Sequence, residues 1–251
     1  MINLIRSEFI KFRSVRSTLL VLGAGGALVI LVAVLQANHI SGDVDRLPAG
    51  AVSQTLGDLT GGVSVAVFLF GALGVQVIGQ EYRFNTIRTT FAAAPIRWRV
   101  LVAKLIVVTL AVAAVSLVMM GVCAAIGAAM LPNFTVDGLD QRVIFGTVLF
   151  GMGWAAMGLG VGAIVRQPIA GILILLGEAF VAEGILVNLF HGLAPWLPFQ
   201  NGFQMTVRNP GGDGSGGEIV YRSVLGGGIY FFIVTAIVLG IGLYLANRRD
   251  A

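Results

Sequence analysis

Long apolar runs separated by short polar connections set the pattern of this chain. The runs cover about 17–37, 60–79, 100–131, 142–165, 169–190 and 224–246. A helix rises about 1.5 Å per residue, so some 20 apolar residues cross a hydrocarbon core. All six runs reach that length. The pattern predicts an all-α integral membrane protein with six transmembrane helices in a single domain spanning 1–251. The third run is longer than a bilayer needs, which predicts tilt or protrusion.

Ahead of the first run, Ile2, Ile5, Phe9 and Phe12 fall on one helical face among Arg6, Lys11, Arg13 and Arg16. This spacing predicts an amphipathic N-terminal interfacial helix over 1–16. A signal-peptide n-region is the alternative, but the run that follows is of full spanning length and lacks a clear A-x-A cleavage site. The polar connections differ in charge. Both ends and the second and fourth connections carry Arg6, Lys11, Arg13, Arg16, Arg83, Arg88, Arg97, Arg99, Lys104, Arg166, Arg248 and Arg249, against Arg46, Arg142, Arg208 and Arg222 on the other side. The positive-inside bias therefore predicts a multi-pass protein with both termini cytoplasmic.

The longest polar interruption is Gln80–Arg99, QEYRFNTIRTTFAAAPIRWR. Such a segment belongs at a membrane surface, not in hydrocarbon. Phe84, Ile87, Phe91 and Ala94 recur at helical spacing, with Glu81, Asn85 and Arg88 on another arc. Pro95 predicts the helix end, and Trp98 between Arg97 and Arg99 suits re-entry at the interface. From the residues alone, an ordinary basic loop with an interfacial helix explains the stretch as well as a docking element does.

Composition agrees with a membrane assignment. The chain is 57% hydrophobic and 11% charged, against about 25% charged in soluble domains. Its net charge of +4 is explained by the flanks of the spans, so nucleic acid is not implied as a partner. Cys123 is the single cysteine, and the two histidines, His39 and His191, lie far from it, so no metal signature is present. A phosphate loop needs Gly-Lys, yet the lysines, Lys11 and Lys104, do not follow glycine. The glycine-rich run 211–217 reads as a flexible linker.

Two acids interrupt the fifth run. Glu178 and Glu183 cost about 3 kcal/mol each near mid-membrane on insertion scales, so each needs a protein or aqueous neighbour. Five residues apart on an ideal helix, they point roughly 140° apart. They read either as translocation-pathway or proton-carrying groups or as structural hydrogen-bond partners. In the fourth run, Gly146, Gly153 and Gly160 recur every seven residues and Gly158 pairs with Gly162, which predicts close helix packing. The segment His191–Thr206, with Pro195, Trp196 and Pro198, reads as either re-entrant short helices or an interfacial loop.

The whole chain resembles permease subunits of ABC-2 type ATP-binding cassette transporters, actinobacterial ones in particular. The resemblance rests on the basic amphipathic N-terminal helix, the six spans, and Glu81, Arg83, Thr86, Ile87, Arg88, Pro95, Arg97, Ala103 and Lys104 in a loop of the form E-x-R-x-x-T-I-R…P-x-R…A-K. That family often places glycine where this chain has Asn85, and asparagine tolerates left-handed backbone better than most residues. The resemblance implies that the stretch between spans two and three is a cytoplasmic coupling helix. Glu81, Arg83, Asn85, Thr86, Arg88 and Thr89 would then contact a separate nucleotide-binding subunit carrying ATP and magnesium. It also implies a second permease chain, a bacterial plasma membrane and export of a drug, peptide, lipid or other amphipathic substrate. Glu183, ahead of Trp196-Leu197-Pro198, resembles a glutamate that relatives carry late in this span. An ion- or proton-coupled secondary carrier using Glu178 or Glu183 is the alternative function.

Overall fold

The computed structural model describes residues 1–44, 54–87, 90, 97–208 and 222–248. Within these residues the protein is helical, without strands; a lone parallel bridge joins Thr55 to Thr135. The elements are α1 (Ile2–Ser14), α2 (Arg16–Val44), α3 (Val63–Arg83), α4 (Arg97–Met130), α5 (Gly138–Val165), α6 (Pro168–Leu189), α7 (Pro198–Phe203) and α8 (Val224–Arg248). Six of them, α2 to α6 and α8, are long and apolar enough to cross a membrane.

Local chemistry sets several of these boundaries. A capping box starts α5: Asp137 accepts from the Leu139 and Asp140 amides, and Asp140 returns a bond to the Asp137 amide. Arg166, at φ 60°, ends α5 in the left-handed conformation, and Pro168 occupies the first turn of α6. The expected tight turn at Arg166–Pro168 is thus formed.

The core is centred on α3 and α5. Two-thirds (67%) of the apolar stretch of each is buried, against 22% in α6 and α8. The two helices touch through glycine: a Cβ on Gly74 would overlap the Ala155 carbonyl, and one on Gly158 would overlap the Gly71 carbonyl. Backbones this close leave no room for side chains, and dispersion replaces the hydrophobic drive that lipid does not supply. Gly146 lies against Met205, Gly153 against Phe231 and Gly160 against Leu239. The fourth-run glycines therefore pack within the chain.

Between α6 and α8 the polypeptide turns inward. A 3-10 turn, His191–Trp196, leads into α7 and a second 3-10 turn, Gln204–Thr206. Phe199 of α7 stacks on Phe68 at 4.7 Å between ring centroids and meets Trp154 edge-on at 4.8 Å. Trp154 lies about 24 Å along α5 from its start at 1.5 Å per residue. The segment is therefore re-entrant, and the interfacial-loop alternative does not describe it.

At the other end, the last turns of α3, α5 and α8 converge with the start of α4, where Ile78, Ala163, Ala246 and Leu101 form one buried cluster. The Arg166 guanidinium lies 5.0 Å above the Tyr82 ring there. α1 and the last turn of α8 lie at this end of the bundle.

Candidate functional site

The polar stretch Gln80–Arg99 begins as the last turn of α3. The Phe84 amide closes that turn on the Gln80 carbonyl, and Asn85, at φ 56°, then reverses the backbone in the left-handed region. Asparagine is among the few non-glycine residues that adopt this conformation readily, so it substitutes for the glycine that the resemblance led one to expect. The break corrects the expectation of one continuous helix. Phe84 is 64% exposed, whereas Ile87, beyond the turn, is 2% exposed and packs with Val100. Their spacing does not put them on one stripe, because the turn at Asn85 lies between them.

Of the six residues expected at a partner surface, Arg83, Asn85 and Thr86 are exposed at this turn. Arg88 and Thr89 lie outside the described residues, as do Phe91, Ala94 and Pro95. Glu81 faces the opposite way. It is buried, and its Oε1 accepts from Lys104 at 2.7 Å and from Lys11 at 3.2 Å. Glu8 of α1 completes the cluster, with Oε2 2.5 Å from Lys104 and Oε1 2.8 Å from Lys11. Thr90 adds its hydroxyl, 3.4 Å from the Lys11 ammonium.

Three helices are tied together by these four charges. Partial burial works against the Lys11 ammonium, but its hydrogen bond to Glu8 and the field of Glu81 outweigh this and raise its pKa above the ordinary 10.5. Lys104 and Glu8 are almost fully buried, so each satisfies a charge the other could not leave unpaired. The sequence pattern gives no role to Glu8 and names Lys104 as a topology marker and as the last residue of the loop motif, with no partner for it. A signal was present: a lone lysine inside a spanning run demands a partner, and Glu8 is the one acid in the N-terminal helix. The helix also seats differently from its apolar stripe. Phe12 is buried and Ile5 packs on the core, but Ile2 and Phe9 are exposed, in position to meet lipid.

The acids of α6 need a second correction. Gly177–Ala182 forms a π-helical turn, in which the Glu183 amide donates to the Glu178 carbonyl. Bonds of this i→i+5 kind bring residues five apart into register. The two carboxyl groups therefore lie close enough to interact, instead of diverging by 140°. Glu183 is 1% exposed, and its two oxygens accept the Phe199 and Gln200 amides at 2.9 and 2.8 Å. It thereby caps α7 and holds the re-entrant segment against α6.

A further cluster closes the opposite end of the bundle. Arg208 bonds Asp140 at 2.8 Å and Asp137 at 2.5 Å, and the Gly57 amide reaches Asp140 at 3.1 Å. Among the described residues no group of histidine, cysteine and acidic side chains is arranged to hold a metal ion.

No curated protein matches the chain. The family described as ABC-2 family transporter protein does match it, over residues 4–194. That span contains most of α1, the first five membrane-length helices and both halves of the ion cluster, so the chain belongs to the ABC-2 transporter family as a membrane subunit.

Proposed function

We propose that this chain is the membrane-spanning half of an ATP-driven exporter and that force enters it at the turn Arg83–Thr86. The observation that supports this reading is how the turn is mounted. Its exposed side chains rise directly from a buried ion cluster that grips α1, α3 and α4. A push on the turn would therefore move three helices together, because a buried ion pair resists separation. The positive-inside bias puts this end of the bundle, and both termini, in the cytoplasm, in a bacterial plasma membrane.

A separate nucleotide-binding subunit, carrying ATP and magnesium, would dock on Arg83, Asn85 and Thr86, with Arg88 and Thr89 continuing the surface. Glu81 acts beneath that surface as a positioning residue. A second permease chain completes the pathway, and its cargo is a drug, peptide, lipid or similar amphiphile. Glu183 holds the re-entrant α7 beside that pathway, with Glu178 next to it. The test is site-specific crosslinking in membranes. Cysteine at Asn85 should capture the nucleotide-binding subunit, whereas cysteine at exposed Leu139, at the opposite end, should not. Equal capture from both would reject the assignment.

The meeting of Glu178 and Glu183 also favours a second reading, a proton-coupled carrier using that pair. It requires transport to continue when the ATPase subunit is absent and to stop in Glu178→Gln. The exporter reading requires transport to stop without the ATPase.

A further inference from the structure

Beside the ion cluster lies a cavity of about 680 Å³, bounded by α1, the start of α2, the end of α3 and α4. Its volume falls within the range of about 300–1,000 Å³ common to ligand sites. Phe12, Val15, Val77 and Val107 supply apolar walls, and Glu81, Lys11 and Lys104 form its polar end.

One atom at that end is unsatisfied. Both Glu8 oxygens and Glu81 Oε1 receive lysine ammoniums. Glu81 Oε2, on a residue only 9% exposed, is buried without a hydrogen-bond partner among the described residues. Buried acceptors are seldom left empty, so this atom calls for an N–H or O–H donor. The cluster itself sets two carboxylates against two ammoniums. A ligand with net charge would bring an unpaired charge beside the almost fully buried Glu8 and Lys104. The occupant is therefore net neutral. Its donor must come with hydrocarbon to suit the walls. The site lies at the bundle end beside the amphipathic α1, a kind of helix that lies where headgroups meet acyl chains.

We infer that this cavity binds a zwitterionic amphiphile bearing a primary ammonium, the chemistry of a phosphatidylethanolamine headgroup. The ammonium donates to Glu81 Oε2. The phosphate lies toward Lys11, whose side chain is 45% exposed. The cavity thereby gains a role separate from the docking of an ATPase on the outer face of the turn. The same chemistry occurs on a bilayer lipid and on a soluble single-chain amphiphile, and the experiment separates the two.

The test is native mass spectrometry of the full-length chain released from nanodiscs of phosphatidylethanolamine, phosphatidylcholine and phosphatidylglycerol with identical acyl chains. One ethanolamine lipid should remain bound at least about tenfold more often than choline lipid, whose quaternary nitrogen cannot donate. Val77→Trp fills the cavity while leaving the four charges in place, and should abolish retention. Glu81→Gln should remove the preference for ethanolamine over choline. Lysophosphatidylethanolamine added in detergent then reports the source. Displacement of the retained lipid assigns the site to soluble amphiphiles as well, and failure to displace assigns it to the bilayer lipid. Equal retention of choline lipid, retention undiminished in Val77→Trp, or water as the only occupant would each overturn the inference.

Discussion

Two ion clusters close the two ends of the bundle, one of lysines with glutamates and one of an arginine with aspartates, in different surroundings. At the end where α1 packs, Lys104 and Glu8 have side chains 2% and 3% exposed. At the other end, Arg208 is 22% and Asp137 44% exposed, although Asp140 is fully buried. The first cluster joins three helices through side chains alone. The second joins a helix start to flanking loops and shares its work with backbone bonds, namely the Asp137 cap and the Gly57 amide. A buried pair is costly to break because the remaining charge is stranded, while a solvated pair is replaced by water. The comparison separates a cluster able to carry force between helices from one that fastens a cap.

Lys104→Met is expected to have the largest effect. It leaves Glu8 and Glu81 buried with Lys11 as their one shared cation, and should cost about 3–5 kcal/mol. Thermal unfolding in detergent measures it. The triple variant Glu8→Leu, Glu81→Leu, Lys104→Met removes the three buried charges, leaves only the half-exposed Lys11 to water, and should recover much of that stability, because apolar packing often equals a buried pair. If force passes through the cluster, the recovered triple variant should assemble with its ATPase but transport poorly. Normal transport by the triple variant would break the distinction between the two ends.

Arg208→Ala should cost less, about 1–3 kcal/mol. Asp140 would lose one partner but keep the Gly57 amide and its own bond to the Asp137 amide. The same unfolding assay applies, and a loss as large as that of Lys104→Met would show that exposure does not divide the clusters.

The sequence made some of this architecture legible and hid the rest for physical reasons. Spanning length is a local property of apolar runs, so six helices could be read directly. The left-handed tolerance of Asn85 is also local, and the backbone uses it at φ 56°. The partners of Lys104 were hidden because Glu8 lies 96 positions away, beyond any helical spacing. The π-helical turn at Gly177–Ala182 escaped because ideal 3.6-residue geometry was applied to residues that depart from it. The re-entrant α7 depends on Glu183 capping it across the gap between two elements, and no run of residues announces such a bond.

Asn85→Val tests the mount of the turn without touching either cluster. A β-branched residue in the left-handed region is strained, by about 1 kcal/mol. Asn85→Gly should be close to neutral. Loss of ATPase assembly in the valine variant alone, with little change in unfolding, would locate the sensitivity at the turn. Equal loss in both variants would mean that the asparagine side chain itself makes the contact.

The smallest effect is expected from pH at the far cluster. The Asp140 backbone amide, and then the Arg208 guanidinium, hold the Asp137 carboxyl below its ordinary value of 3.8. A carboxyl lowered in the folded state contributes stability that is complete above its unfolded pKa and fades as pH falls through the folded one. Unfolding temperature should therefore stay flat down to about pH 4 and decline gently below it. Asp137 is well solvated, so the decline should shrink further in high salt. In Asp137→Ser, which keeps a capping oxygen but removes the charge, the decline should lessen while the plateau stays nearly level. A decline of full size in Asp137→Ser would show that the Asp137 carboxylate does not carry the acid sensitivity.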